Sequence, residues 1–292
     1  MEYQVLLYYK YTSVKDPQAV MLWQKSLCER LGLKGRIIIA EEGINGTVEG
    51  TKENTILYIR AMREFLPFKE IKYKKSKGTG KSFKKLSIKV RKDIVSDKIA
   101  DWEVNPNETT GKYLSADKLH EWITKKKDDF VIIDMRNDYE HKSGHFEGSV
   151  LPQIETFRDL PKAIPQLKQY EGKTIVTVCT GGVRCEKASG FLIKNGFKDV
   201  YQLKDGIVTY MEKYPNQDFK GKLYVFDERV LMGFQTEEAA HEVIGMCVKC
   251  GLKSEHYINC KNDNCHRHLI CCENCIDTDG MTTCPQGCRK MK

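Results

Sequence analysis

No stretch of this 292-residue chain comes near the roughly 20 consecutive apolar residues that a membrane-crossing helix needs. Its apolar runs, such as those in "VIID" and "RIIIA", are far too short. The N-terminal "MEYQVLLYYKYTS" lacks a basic flank, a following apolar stretch and a small-residue cleavage site. No signal peptide is therefore expected, and the cytoplasm is the expected location. Fingerprints for flavin, haem and nicotinamide are missing, so no organic cofactor is evident. There is also no His-x-Asp/Glu pair with a distant histidine that would clearly build a non-haem iron triad. These absences exclude a helical membrane protein and leave any redox chemistry without a resident organic cofactor.

What is present is charge and cysteine. Hydrophobic residues make up 40% and charged residues 30%, a soluble globular balance, and the length suggests two or three domains. The net charge is +8, but Lys69–Asp93 holds eleven Lys/Arg against two Asp/Glu, which is +9 in one segment. Clustered cations favour a polyanion through counterion release. Lys84 and Lys85 within that segment are the expected substrate contacts. The plainer alternative is a solvated lysine-rich hairpin that resists edge pairing. Twelve cysteines are many for a reducing compartment and point to metal or catalysis rather than disulfides. Nine of them lie between Cys247 and Cys288; the others are Cys28, Cys179 and Cys185.

Three units are expected. Residues 1–95 read β-α-β-β-α-β, a ferredoxin-like sandwich whose sheet can bind RNA. Asp16-Pro17 caps its first helix, and Cys28 late in that helix reads as a small buried hydrophobe. "EEGINGT" has the glycines and asparagine of a tight turn between strands. It offers Asn45 as a site residue and Glu41 and Glu42 as contacts to substrate or across a domain interface. Residues 96–110 read as a linker. Residues 111–216 alternate helices with continuous apolar strands, "FVIID" and "TIVTVC" among them, which implies a mostly parallel α/β sheet. Residues 217–292 form a cysteine-rich tail too irregular for an apolar core, where a metal can substitute.

The central chemistry sits in "CTGGVRC", residues 179–185. Cys179 ends a parallel strand, where open α/β sheets place their ligands. Gly181 and Gly182 let successive N–H groups curl around the sulfur, and the following helix N-terminus and Arg184 add positive charge. Cys179 is expected to have a lowered pKa. Cysteine phosphatases use Cys-x5-Arg. The Cys-x4-Arg loop here is one residue shorter and better fits a thiolate or persulfide than a phosphoryl group. Cys185 either resolves an oxidised Cys179 or simply fills the first helical turn.

"IIDMRNDYEHKSGHFEGS" and "CTGGVRCEKAS" resemble the two signature stretches of rhodanese domains. Phe146-Glu147 departs from the usual Ile-Pro, and Cys185 stands where many rhodaneses have serine. "IAEEGINGTVEG", "DMRNDYE", "CTGGVRCEK" and "VFDERV", in that order, resemble the rhodanese-related tRNA uridine hydroxylases over nearly the whole chain. That resemblance implies an N-terminal domain, a central rhodanese domain and a cysteine-rich tail. It also implies oxygen-dependent conversion of the wobble uridine to 5-hydroxyuridine, with tRNA as partner, molecular oxygen as co-substrate and a reductant the sequence leaves unknown. Cys179 would add to C6 of the uracil ring. Arg184 would anchor the loop, and Asp134 and Arg136 would brace it, with Arg136 also able to contact phosphate. His145 reads as structural rather than as a base. Persulfide transfer to RNA or a small thiol suits the same loop, and a non-enzymatic RNA-binding module is a third alternative.

The tail spacings pair Cys247 with Cys250, Cys260 with Cys265, Cys272 with Cys275, and Cys284 with Cys288, leaving Cys271 spare. Four pairs suit two tetrahedral zinc sites, sequential or interleaved. His256, His266 and His268 are substitutes for a weak ligand. The metal serves either as a staple for the tail or as part of an RNA-gripping knuckle with Lys249, Lys253, Lys261, Arg267, Arg289 and Lys290 on phosphates.

Overall fold

The computed structural model describes residues 2–95, 102, 104–125, 130–265, 267–276, 282–284 and 288. The expected combination of a ferredoxin-like sandwich, a central parallel sheet and a cysteine-rich tail is what they form. His266, Arg289 and Lys290, and residues 96–101 and 103 of the expected linker, lie outside the described residues.

The N-terminal unit runs β1 (Tyr3–Tyr11), α1 (Pro17–Arg30), β2 (Lys34–Ala40), β3 (Gly43–Thr51), α2 (Lys52–Glu64), β4 (Lys72–Lys77) and β5 (Leu86–Val90). Its sheet has the order β4-β1-β3-β2-β5. The Asp16 side chain accepts from the Ala19 N–H at 2.9 Å and Pro17 sits in the first turn, a cap of about 1 kcal/mol. Leu6 and Tyr8 point to the helices, where Leu27, Cys28, Tyr58 and Met62 close the core. Tyr58 donates to Gln24 Oε1 at 2.7 Å, so these two buried polar side chains satisfy each other.

One expectation changes here. The lysine-rich segment is not a hairpin: β4 pairs with β1 and β5 with β2, on opposite edges of the sheet. The second face of the sheet is only partly covered, and Arg36, Ile38 and Asn45 on it line a cavity. Leu7, Tyr9 and Tyr11 alternate with the core residues along β1 and cover the central domain, which is why β1 is apolar on both faces.

The central unit contains β6 (Lys112–Leu114), α3 (Ala116–Thr124), β7 (Phe130–Asp134), β8 (Gly144–Phe146), α4 (Leu160–Leu167), β9 (Thr174–Val178), α5 (Val183–Lys194), β10 (Val200–Leu203) and α6 (Gly206–Lys213). The parallel sheet has the order β6-β10-β9-β7. Helix α3 starts at Ser115, whose hydroxyl accepts from the Lys118 N–H. Trp102 of the expected linker is buried, with ring centroids 5.0 Å from Phe157 and 4.7 Å from Phe191, so this part of the connection belongs to the central core.

The tail adds β11 (Phe219–Gly221), β12 (Leu223–Tyr224), β13 (Leu231–Met232), β14 (Tyr257–Asn259) and β15 (His268–Ile270). Eight cysteines and only four aliphatic side chains (Val248, Ile258, Leu269 and Ile276) make up its own apolar cluster. Among the described residues no helix is long and apolar enough to cross a membrane.

Candidate active site and cysteine clusters

Cys179 follows β9 directly, and the loop turns at Gly182 into α5. Gly182 has φ +100°, which favours glycine, and a Cβ there would meet the Tyr9 hydroxyl at 2.9 Å. The carbonyls of Cys179, Thr180 and Gly181 are claimed from outside the loop. The Ile207 N–H donates to Cys179 O at 2.9 Å and the Val208 N–H to Thr180 O at 3.1 Å, both from the start of α6. Lys74 Nζ of β4 donates to Gly181 O at 2.8 Å. With the carbonyls pulled outward, the N–H groups turn inward to the sulfur. Gly206, at φ +77°, allows this approach: a Cβ there would sit 2.6 Å from Gly181 backbone atoms.

Burial by itself pushes the Cys179 thiol up. The Cys185 thiol, the Arg184 charge and the Cys185 and Arg184 N–H groups outweigh it, and the pKa falls to about 6. Cys185 moves the opposite way, through burial and then its anionic neighbour. The two thiols thus divide into an anion and a proton donor.

Arg184 is held by both nitrogens to Glu140, with Nη2 to Oε2 at 2.8 Å, and also donates to Thr180 Oγ1 at 3.2 Å. Its charge reaches the sulfur while its fork is fixed by a carboxylate. Arg136 braces as expected but is not a substrate contact. It is fully buried and forks onto Asp134, with Nε–Oδ1 at 2.9 Å and Nη2–Oδ2 at 2.6 Å, and donates to Gly144 O at 2.7 Å. A guanidinium so enclosed braces the β7–β8 connection and has no face for a phosphate. His145 Nδ1 is hydrogen-bonded to His141 O at 2.8 Å, a structural contact.

Asn45 is not in a turn. It lies inside β3, and Nδ2 donates to Ile94 O at 2.9 Å; the turn is Glu41-Glu42. Glu42 makes the cross-domain contact, one of its two expected roles: Lys187 of α5 sits 2.7 Å from Glu42 and 2.7 Å from Asp93.

The N-terminal sheet and the thiol loop enclose a cavity of about 400 Å³ lined by Cys179, Arg184, Tyr9, Asn45, Phe83 and Phe226 among others. Exposed Arg36 and Arg158 stand on its lining. It adjoins a groove of about 490 Å³ carrying Arg36, Lys84, Lys85, Lys89 and Arg91. Lys84 and Lys85 are exposed there, and Lys84 lies 3.4 Å from Glu228. The site thus brings Cys179, Arg184, Cys185 and Asn45 together, sets Lys84 and Lys85 in the adjoining groove, and leaves Arg136 behind the loop. Cys179 itself has no exposed surface, so the thiolate is more enclosed than its nucleophilic reading anticipates.

Sequence reasoning missed Glu140, Lys74 and Phe226. Glu140 was legible only as part of the "NDYE" run. Lys74 was hidden in a charge run, yet burial lowers its pKa to about 8 against the opposing pull of Asp205 and Cys179.

In the tail, Cys247, Cys250, Cys272 and Cys275 form one group of sulfurs and Cys260, Cys265, Cys284 and Cys288 another, each within 4.8 Å. Sulfur pairs stand at 3.6 Å (Cys250–Cys272), 3.6 Å (Cys260–Cys288) and 3.5 Å (Cys265–Cys284). A tetrahedral zinc with bonds of about 2.3 Å sets its sulfurs about 3.8 Å apart, so both groups fit such an ion. First pairs with third and second with fourth, an interleaved arrangement. Cys271 belongs to neither group and is buried. His256 Nδ1 meets Cys271 O at 3.1 Å and His268 Nδ1 meets the Tyr224 hydroxyl at 2.9 Å, so both rings are engaged elsewhere. Lys253 lies 3.4 Å from Glu242.

Residues 3–94 match the family described as UPF0176 acylphosphatase like domain, residues 115–213 the rhodanese-like domain, and residues 220–289 the rhodanase C-terminal family. The chain is 43% identical over 292 residues to a tRNA uridine(34) hydroxylase of Staphylococcus carnosus, covering 95% of this chain and 90% of that one. It is 45% identical to one of Staphylococcus saprophyticus (94% and 86% covered) and 42% identical to one of Bacillus cereus (98% and 89% covered).

Proposed function

This chain belongs to the tRNA uridine(34) hydroxylase family, and on that footing we propose that it hydroxylates C5 of the wobble uridine of tRNA with Cys179 as nucleophile. The observation that carries the reading is a thiol lowered to about 6 at the wall of a cavity that adjoins a cationic groove. Arg36, Lys84, Lys85 and Lys89 hold the phosphate backbone in that groove.

The Cys179 thiolate bonds to C6, and the ring electrons move to C5 as an enolate. C5 bonds to molecular oxygen, giving a hydroperoxide after protonation. A thiol cleaves the O–O bond, leaving hydroxyl on C5 and itself becoming a sulfenic acid. Cys185, hydrogen-bonded to Cys179, is the nearest thiol for that step. Loss of the C5 proton and of the C6–S bond then releases 5-hydroxyuridine. External thiols return the sulfenic acid to thiol and water. The sum is uridine, oxygen, two electrons and two protons in, and 5-hydroxyuridine and water out. The two cysteine groups hold zinc, a staple that fixes the tail against the segment carrying Glu140.

Nucleoside mass spectrometry of tRNA incubated under ¹⁸O₂ with a thiol reductant tests the reading. Wild type yields a uridine one labelled oxygen heavier, and Cys179→Ala yields none. A nucleoside with oxygen replaced by sulfur would instead establish sulfur transfer, and an active Cys179→Ala would discard the thiolate mechanism.

A further inference from the structure

Phe226 has no part in the chemistry above. It is 45% exposed, yet it lines the same cavity as Cys179 and Arg184. Its ring centroid is 5.9 Å from the Arg184 guanidinium carbon and 5.3 Å from the Tyr224 ring, edge-on. The loop that carries it is tied down on every side. The Val225 N–H donates to Val230 O at 2.8 Å, across a turn in which Val230 takes φ +59°. Arg229 forks onto Asp227 and donates from Nη1 to Ser76 Oγ at 2.9 Å and Lys77 O at 3.0 Å in β4. The Glu228 N–H reaches Ser82 O at 2.9 Å. An aromatic ring is thus held rigidly, between domains, with nearly half its surface uncovered.

We propose that Phe226 is the stacking platform for the uracil base that enters the Cys179 cavity. The proposal rests on the functional reading above and names a residue that positions the substrate. Three features select a nucleobase as the occupant. The space, about 400 Å³, accommodates a nucleoside. The lining combines an apolar ring with exposed Arg36 and Arg158, which suits a planar base flanked by phosphates. The lysine-rich groove continues from it, as the path of a single strand requires. Stacking accepts any base, so Phe226 contributes affinity and orientation rather than choice of base.

A binding cycle tests this on the full chain. The probe is a fluorescein-labelled anticodon stem–loop carrying either uridine or an abasic ribose at the wobble position. Removing the base weakens binding about tenfold in wild type, within the range of one base–aromatic stack. The same penalty is expected in Phe226→Trp. In Phe226→Ala and Phe226→Leu it shrinks to less than about twofold, because the platform is already gone. Equal penalties in wild type and both non-aromatic variants overturn the proposal. If Phe226→Ala does not fold, as judged by its melting curve, Phe226→Leu decides by the same comparison. Failure of wild type to bind the stem–loop at all overturns it too. Because the cycle reads binding, absence of oxidised product from wild type would sink the functional reading without altering this result.

Discussion

A cysteine buried as deeply as Cys179 would ordinarily be a poor acid, because an anion loses its hydration there. Here the loop replaces water with inward N–H groups, a neighbouring thiol proton and the Arg184 charge. The thiolate therefore exists above about pH 6, whereas a free cysteine needs about pH 8.5. The iodoacetamide labelling rate of Cys179 in wild type, followed by peptide mass spectrometry, should rise with a midpoint near 6 and level off above. Arg184→Met should move that midpoint upward, since the cation that favours the anion is removed. A wild-type midpoint near that of free cysteine would discard the nest as an activator. Residue type and spacing made Cys179, Cys185 and Arg184 legible in the sequence. The partner of Arg184 was not legible: Glu140 is far along the chain, and only folding brings the two together. Arg136 differs: its partners Asp134 and Gly144 are close in sequence, and what only the fold decides is that they and the surrounding core enclose the guanidinium completely.

At the scale of elements, strand β1 and helix α5 do double duty. β1 gives Leu6 and Tyr8 to one core and Leu7 and Tyr9 to the other side, and its nearly unbroken apolar run is the sequence sign of burial on both faces. Helix α5 gives Lys187 to an ion triad with Glu42 and Asp93 of the N-terminal unit. Lys187→Met would leave two carboxylates facing each other without their shared cation. Removing one partner of a buried ion pair costs roughly 3–5 kcal/mol. Thermal unfolding of Lys187→Met should show a lowered first transition, and proteolysis should cut faster between the N-terminal and central units. An unchanged melting curve would mean that the triad contributes nothing to docking. No periodicity announces such a contact, because it links residues more than ninety positions apart.

At the scale of the whole molecule, the far tail gathers eight cysteine sulfurs into two groups and has few aliphatic side chains of its own. The interleaved pairing makes a specific forecast. Emission spectroscopy should find two zinc ions per chain. Cys247→Ser and Cys272→Ser should each lose the same one, and Cys265→Ser and Cys284→Ser the other, with a lower melting temperature in every case. Loss of a shared ion by Cys247 and Cys265 variants would instead require sequential sites. The tail packs on the central unit, with the Lys222 N–H donating to Ser143 O at 2.9 Å and the Tyr257 hydroxyl donating to Tyr139 O at 2.5 Å, so metal loss should also loosen the segment that carries Glu140.

Local chemistry alone was enough to determine the element order of the first unit, the parallel strands of the second, the thiol loop and the eight paired cysteines, because caps, periodicities and ligand spacings act within a few residues of one another. Tertiary structure alone decided which cysteine pairs share a cluster, that the basic segment splits to opposite sheet edges, that Arg136 is enclosed, and that Phe226 stands over the Cys179 cavity. Those outcomes depend on which surfaces meet after collapse, and the free energy of such meetings is spread over residues that carry no local mark of their partners.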